Sequence, residues 1–336
     1  MQLRYNLTMK TYLVTGGLGF IGLNFIKKIL ENNDNFVINL DKQTYASNSI
    51  KIKDKNYKFI KGDICDRNIV DKIFKKNNID FVVNFAAESH VDRSIENANQ
   101  FYITNVLGTL NLLNIAKKYW KNDLSNHRFI QISTDEVYGD SEIEKFETSP
   151  LQPTSPYASS KASADLLVLS YIKTYNFPAM ITRSSNNFGK YQFPEKLIPK
   201  FFVLSVLNKS LSLYFKNHIR DWLYVEDNVN AINLVLNKGK VGEIYNICAN
   251  NQMSNEEITL KIINFVKNNI NQQSTEKLIA QSNVRLTDDK IYNINCDKIK
   301  SLGFKTTNFD ENLEKTLNFY KSNFDYLLNQ FKKITN

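Results

Sequence analysis

Thr15-Gly16-Gly17-Leu18-Gly19-Phe20-Ile21-Gly22 stands between an apolar run, Thr11 to Thr15, and a segment with apolar residues at Phe20, Ile21, Phe25, Ile26, Ile29 and Leu30. The run reads as a buried strand and the segment as a helix, Phe20 to Glu31. Gly17, Gly19 and Gly22 have the G-x-G-x-x-G spacing; Gly16, Gly19 and Gly22 have the wider G-x-x-G-x-x-G spacing. Glycine allows positive φ in such a turn and lets backbone N–H groups approach a pyrophosphate at the helix N-terminus. A purely structural tight turn would carry the same glycines. Asp41, at the end of a second apolar run from Phe36 to Leu40, has close to the spacing of a ribose-binding acid and favours the dinucleotide reading. A carboxylate there repels a 2′-phosphate, so NAD is expected over NADP, with the neighbouring Lys42 as the one contrary sign. Asp63, after the third strand, either reaches the adenine edge or only caps its loop.

Outward from this turn, apolar runs at Tyr57 to Ile60, Phe81 to Phe85, Arg128 to Ser133 and Ala179 to Arg183 alternate with helical patterns at Asp66 to Lys76, Phe101 to Lys118 and Pro156 to Tyr175. This rhythm predicts an α/β fold: a doubly wound parallel sheet (Rossmann) with a smaller α/β substrate-binding lobe. Residues 9–187 are expected to bind the dinucleotide and carry the catalytic residues. Residues 188–330 mainly form the lobe, with some segments returning to the large domain. Short strands near Leu211 to Phe215 and Glu243 to Ile247 are assigned to the lobe. Helices are expected near Glu226 to Asn237, Glu256 to Asn269 and Asp310 to Asn329.

Tyr157 and Lys161 lie four residues apart, hence on one face of a helix. A phenol with a free pKa of about 10 needs roughly three units of lowering, about 4 kcal/mol, to act as a base near neutrality. One cation at about 4 Å supplies on the order of 4 kcal/mol at an effective dielectric of 20. Lys161 and a positively charged nicotinamide ring are therefore expected to lower Tyr157. Upstream, Thr134-Asp135-Glu136 puts a hydroxyl beside two carboxylates at a strand end. Neighbouring carboxylates in a dry pocket push their pKa values apart, so one can serve as acid and the other as base. Spacing does not say which. An acidic loop facing water is the plain alternative.

The glycine turn, the Tyr-Lys pair and Thr134 resemble the extended short-chain dehydrogenase/reductase family. More narrowly, the chain resembles its nucleoside-diphosphoglucose 4,6-dehydratases. Asp41 to Ala46 (DKQTYA), Ala86 to Ile95 (AAESHVDRSI), Arg183 to Pro199 (RSSNNFGKYQFPEKLIP) and Arg220 to Asp227 (RDWLYVED) carry the likeness, which runs from about Lys10 to Tyr320. The acid pair discriminates most, because related epimerases and decarboxylases usually lack it. The resemblance implies that Tyr157 takes the 4-hydroxyl proton while hydride moves to NAD, with Thr134 hydrogen-bonding that oxygen. Glu136 then removes the C5 proton, Asp135 donates to the leaving 6-hydroxyl, and hydride returns to C6. It further implies cofactor contacts at Gly16, Gly19, Phe20, Ile21, Gly22, Asp41, Lys42, Thr44, Asp63, Ile64, Ala86, Ala87, Thr104, Tyr157, Lys161 and Asn187. Substrate contacts are implied at Ser89, Thr134, Asn186, Lys196, Leu197, Tyr214, Arg220, Asn251, Arg285 and Tyr292. Arg220 would clamp the diphosphate; its plain alternative is an arginine paired to Asp221. The expected substrate is dTDP-glucose, with UDP-glucose dehydration and nucleotide-sugar 4-epimerisation as alternatives. A non-catalytic nucleotide-binding scaffold is a third, but it would have no use for a tuned phenol. Two stretches depart from the family: Arg285-Leu286-Thr287-Asp288-Asp289 replaces Arg-Pro-Gly-His-Asp, and bulkier residues replace a glycine-containing turn around Tyr214 to His218. The family also implies a homodimer through a four-helix bundle made by Phe101 to Lys118 and Pro156 to Tyr175.

The bulk properties of the 336 residues are bland beside these motifs. A formal charge of +9 is spread over helix faces with acids interspersed, which argues against a nucleic-acid partner. No apolar run is long enough to span a membrane, and Met1 to Thr8 lacks the apolar core of a signal peptide. Those eight residues read as a frayed extension before Met9. The three cysteines, Cys65, Cys248 and Cys296, form neither a disulfide framework nor a metal pattern, which with three scattered histidines points to a reducing cytoplasm and no metal site.

Overall fold

A computed structural model of the chain describes residues 9–282 and 289–335. The N-terminal extension and Arg285, with most of the departing stretch around it, lie outside those residues.

The chain begins as anticipated: β1 (Lys10–Thr15), α1 (Phe20–Ile29), β2 (Asn35–Asp41), β3 (Tyr57–Lys61), α2 (Arg67–Lys76) and β4 (Phe81–Asn84). Three helical pieces follow, α3 (Val91–Glu96), α4 (Asn99–Tyr102) and α5 (Thr109–Trp120), then β5 (Arg128–Thr134), α6 (Pro156–Tyr175) and β6 (Ala179–Ser184). Local chemistry sets the boundaries. Asp66 caps α2 by accepting from the N–H groups of Asn68 and Ile69 at 2.9 and 3.2 Å. Ser155 caps α6 by accepting from the Ala158 N–H, Pro156 occupies the first turn, and Asn176 ends the helix at φ 50°. The single helix expected from Phe101 to Lys118 is interrupted by a π-helical stretch, Ile103–Gly108, between α4 and α5.

The rest of the chain supplies β7 (Asn186–Phe188), α7 (Leu197–Val206), β8 (Leu211–Tyr214), β9 (Ile219–Tyr224), α8 (Val225–Lys238), β10 (Ile244–Ile247), β11 (Gln252–Ser254) and α9 (Asn255–Asn269). It closes with β12 (Ile279–Ser282), α10 (Asp297–Ser301), α11 (Phe309–Ser322) and α12 (Phe324–Thr335). Seven parallel strands form the main sheet in the order β10-β6-β5-β4-β1-β2-β3. Two small sheets, β11-β9-β7 and β12-β8, belong to the lobe side. The strand assigned to the lobe near Glu243 to Ile247 is therefore corrected: β10 pairs with β6 and forms one edge of the main sheet. Its crossover helix, α8, packs on α1 and lets the strand return parallel. The helix expected from Asp310 to Asn329 is also two, broken at Asn323, whose side chain donates to the Phe319 carbonyl at 2.9 Å.

Because both faces of the sheet are covered, its inner strands are buried along nearly their whole length, polar residues such as Asn39, Gln131 and Arg183 included. Side-chain alternation still sorts them. Tyr12 and Val14 enter one core with α1 and the lobe, while Leu13 enters the other with α2 and α5. The direction of winding reverses between β1 and β4, and the crevice at the carboxyl ends of these strands is where open α/β sheets bind ligands.

The cysteine expectation is overturned. Cys248, just after β10, and Cys296, at the start of α10, are joined as a disulfide with Cα atoms 5.9 Å apart. They are 48 residues apart in sequence, and only the packing of α10 against β10 brings them together. Cys65 remains a thiol. Among the described residues no helix is long and apolar enough to cross a membrane.

Candidate active site

A cavity of about 380 Å³ opens at the switch between β1 and β4. All sixteen residues expected to touch the cofactor line it. The glycines are there for steric reasons. Gly16 has φ 65°, and a Cβ on it would lie 2.7 Å from the Ala86 nitrogen. A Cβ on Gly22 would lie 2.5 Å from the Gly16 carbonyl oxygen, so the turn closes onto the helix only with glycine at both positions. Gly19 begins α1 with no side-chain cap, which leaves first-turn N–H groups directed at the cavity. Asp41 is buried and pre-positioned: it accepts from the Leu18 N–H at 2.9 Å, the Gln43 N–H at 2.7 Å and the Ser47 hydroxyl at 3.2 Å. Lys42 pairs with Asp63 at 2.8 Å, and that hydrogen bond raises the lysine's pKa. Its charge is thus committed to a carboxylate beside the adenosine end. These groups fit a dinucleotide lacking a 2′-phosphate.

The catalytic candidates meet at the other end of the same cavity. Thr134, Glu136, Tyr157 and Lys161 all line it. Thr134 ends β5 and caps the short 3₁₀ turn Asp135–Tyr138 by accepting from the Glu136 N–H. Asp135 does not line this cavity. It is fully buried, with one oxygen 3.2 Å from the Thr134 hydroxyl and the other without a hydrogen-bond partner. Burial first, and then the neighbouring Glu136, raise its pKa well above the carboxylate range. Asp221 adds to the effect. Glu136 is half-buried and lines a second cavity as well. The two carboxyls are thus held in different environments, which is what separates an acid from a base.

The expected lowering of Tyr157 is not supplied by the chain. Burial, followed by Glu136 and Asp135, pushes the phenol up, and a hydrogen bond with Thr134 opposes this only in part. Lys161 donates to the Ile132 carbonyl at 2.5 Å, and burial brings its pKa down to about 8 against the pull of Asp165. The acid pair that sequence reasoning placed beside the phenol therefore raises it, an effect that reasoning had omitted.

The second cavity, about 540 Å³, adjoins the first through Glu136, Asn186, Glu195, Lys196, Leu197 and Trp222. Six of the expected substrate residues line it: Asn186, Lys196, Leu197, Tyr214, Arg220 and Tyr292. Ser89 and Thr134 line only the first. Asn251 lines neither; its N–H donates to Asp221 at 2.6 Å. Arg220 stacks on Tyr292 at 4.7 Å and donates to the Asp289 and Ile219 carbonyl oxygens at 2.8 Å.

Comparison with known proteins agrees with this geometry. Residues 13–316 match the family model described as GDP-mannose 4,6 dehydratase. The chain is 44% identical to a low-salt glycan biosynthesis protein of Haloferax volcanii, covering 92% of this chain and 97% of that one. It is 43% identical to the dTDP-glucose 4,6-dehydratase of Haemophilus influenzae, covering 94% and 99%. The structure of the dTDP-glucose 4,6-dehydratase of Streptomyces venezuelae, solved with NAD bound, superposes with a TM-score of 0.88 at 36% identity, covering 95% and 99%. This chain belongs to the nucleotide-sugar 4,6-dehydratase family.

Several residues of this dehydratase's site escaped the sequence reading. Glu195 lines both cavities and accepts from the Tyr45 hydroxyl at 2.9 Å; it sits inside the quoted stretch Arg183 to Pro199, so the signal was present. Asp289 accepts from the Thr154 and Tyr292 hydroxyls at 2.7 Å each, fixing the strap that Arg220 grips. Asp221, within β9, accepts from Ser185, Ala249 and Asn251, tying β9 to the segments that follow β6 and β10, and its charge acts on Asp135. It too sits inside a family stretch, Arg220 to Asp227, but was read there only as a partner for Arg220. The bulky turn around Tyr214 is held by stacking of Phe215, at φ 43°, on His218 with ring centres 4.5 Å apart.

Proposed function

We propose that this dehydratase converts dTDP-glucose to dTDP-4-keto-6-deoxyglucose with NAD, by oxidation at C4, loss of water across C5 and C6, and reduction at C6. The observation that carries the reading is the Asp135–Glu136 pair at the end of β5, Asp135 buried and Glu136 facing the cavity that Tyr157 also lines. An epimerase has no use for such a pair. NAD bound in the first cavity supplies the acceptor for the C4 hydride and its return to C6. Asp41 holds the adenosine ribose, and the first turn of α1 receives the pyrophosphate. Tyr157 takes the 4-hydroxyl proton and Thr134 orients that oxygen. Lys161 supplies positive charge beside the phenol. The ketone acidifies C5, and Glu136, which reaches both cavities, removes that proton. Asp135, kept protonated by burial and bonded to the Thr134 hydroxyl that lines the first cavity, gives a proton to the departing 6-hydroxyl; when hydride returns to C6, Glu136 gives C5 its proton back after exchange with solvent. Lys196 and Arg220 grip the nucleotide diphosphate in the second cavity. In this division of labour residues 9–187 hold the cofactor and do the chemistry, and 188–330 mainly hold the nucleotide.

A homodimer forms part of the proposal. Tyr102, Ile103 and Leu107, on α4 and the π-helical stretch, and Leu166 on the neighbouring α6 are exposed, Leu166 by 58%. Such a face suits a four-helix bundle with its own copy. The reading also carries forward the cytoplasmic location, against which the Cys248–Cys296 disulfide is the one contrary sign.

The test offers dTDP-glucose and UDP-glucose separately to the purified protein in heavy water, with products followed by NMR. A 4-ketone, a C6 methyl and solvent deuterium at C5 from dTDP-glucose are the expected result. The same product from UDP-glucose alone would change the nucleotide. Epimer without methyl, or NAD binding with no turnover, would overturn the reaction.

A further inference from the structure

Tyr157, Lys161 and Asp165 follow one another at four-residue intervals down one face of α6. Asp165 is fully buried and pairs with Arg183 of β6 at 2.9 Å; that guanidinium is only 1% exposed. Arg183 also donates to the Tyr138 hydroxyl at 2.8 Å and lies over the Tyr138 ring. Tyr138 ends the turn that carries Asp135 and Glu136, and its hydroxyl donates to Asn246 of β10 at 2.8 Å. One buried chain of contacts thus runs from the helix bearing the redox pair to the turn bearing the elimination pair. A buried ion pair is a poor source of stability, since apolar packing of the same volume does as well or better. Its cost invites a functional explanation.

We propose that Asp165, Arg183 and Tyr138 are positioning residues: Asp165 sustains the charge on Lys161, and the Arg183–Tyr138 link holds the acid pair in register with Tyr157. This rests on the proposed roles of those four groups. Burial raises the Asp165 carboxyl above its ordinary value, and Arg183, followed by Lys161, offsets this in part. The elements packed against α6 carry other charged or titratable groups: Asp92, Arg93 and Glu96 on α3, Tyr102 on α4, Lys117, Lys118 and Tyr119 on α5, Arg128 on β5, Asp135, Glu136 and Tyr138 on the 3₁₀ turn, and Arg183 on β6. Among all of these and Asp165, only Asp165 acts appreciably on Lys161. Its negative charge raises the lysine's pKa, so its removal lets the ammonium lose its proton at lower pH.

The test uses the full-length protein with Asp165→Asn, Asp165→Glu and Tyr138→Phe. Lysine labelled with carbon-13 beside its amine reports the Lys161 titration by NMR, the resonance being assigned by its absence in Lys161→Met. Asp165→Asn should move that titration, and the high-pH limb of kcat, to lower pH by the same amount, with kcat reduced about tenfold or more and KM for the sugar nucleotide nearly unchanged. Asp165→Glu should restore the titration without fully restoring kcat. Tyr138→Phe should leave cofactor reduction within about twofold and slow solvent deuterium entry at C5 about tenfold. An unmoved titration in a folded Asp165→Asn protein overturns the role of Asp165. If that variant does not fold, Tyr138→Phe decides: equal effects on both steps, or none, overturn the link. Wild-type protein inactive on any sugar nucleotide would refute the proposed reaction, whereas the lysine titration is read without turnover.

Discussion

Replacing Glu136 by Gln separates the steps of the reaction. The side chain lines both cavities, and Gln has nearly its shape, so the walls and the Thr134 cap on the Glu136 N–H survive. What disappears is the base for C5. Loss of a positioned general base costs about 10²- to 10⁴-fold, or about 3 to 5 kcal/mol of barrier. The earlier step should respond in the opposite sense. The Glu136 carboxylate is the largest charge effect raising the Tyr157 phenol, so its neutralisation lowers the phenol and eases proton removal from the 4-hydroxyl. The Asp135 carboxyl stays raised in the variant because burial, not Glu136, is the main cause of its shift. Mixing the variant with dTDP-glucose should therefore give a rise at 340 nm from reduced cofactor, approaching one equivalent per site. The 4-keto sugar should keep its 6-hydroxyl, with hydrogen at C5 unexchanged in heavy water. Full turnover, or loss of the 340 nm signal together with dehydration, would refute the assignment of Glu136 to the second step.

Asp135→Asn should be more heat-stable than the parent near neutrality, and the gain should vanish as pH falls. The sign follows from the raised folded-state pKa: the unfolded chain loses the Asp135 proton from about pH 4 upward while the folded chain keeps it, at about 1.4 kcal/mol per pH unit. Melting curves of both proteins between pH 4 and 7 check this; a constant offset would refute it. Gly16→Ala places a methyl against the Ala86 nitrogen at positive φ, and purified protein should carry no NAD by absorbance after denaturation. Thiol titration of the unfolded, unreduced chain should find one group and, after reduction, three. Reduction should lower stability by up to about 4 kcal/mol, the loop-closure value for a loop of 48 residues.

The parts of this enzyme that were legible in its sequence are those whose chemistry is contiguous. Gly16 to Gly22 is a strand, a turn and a helix start in one stretch. Tyr157 and Lys161 are one helical turn apart, and Thr134, Asp135 and Glu136 are consecutive. Each motif carries its own geometry. Features made by packing distant segments were not legible: the Cys248–Cys296 pair, the return of β10 to the main sheet, and the effect of Asp221 on Asp135. The phenol's electrostatics failed for a related reason. A cation four residues away is visible in a helix, but neither the burial that outweighs it nor the carbonyl of Ile132 that engages it is written locally.

The return of β10 has a consequence for anyone who would take the molecule apart. Residues 9–187 look like a portable NAD module, yet severing the chain there would strip β6 of its outer neighbour and expose a ribbon of unpaired, wholly buried backbone along Ala179–Ser184. The same cut would remove α8 from its seat on α1. Chimaeras that exchange nucleotide specificity between relatives must therefore graft discontinuously, keeping Val225–Lys238 and Ile244–Ile247 with the parent scaffold and swapping only the lobe segments that precede and follow them.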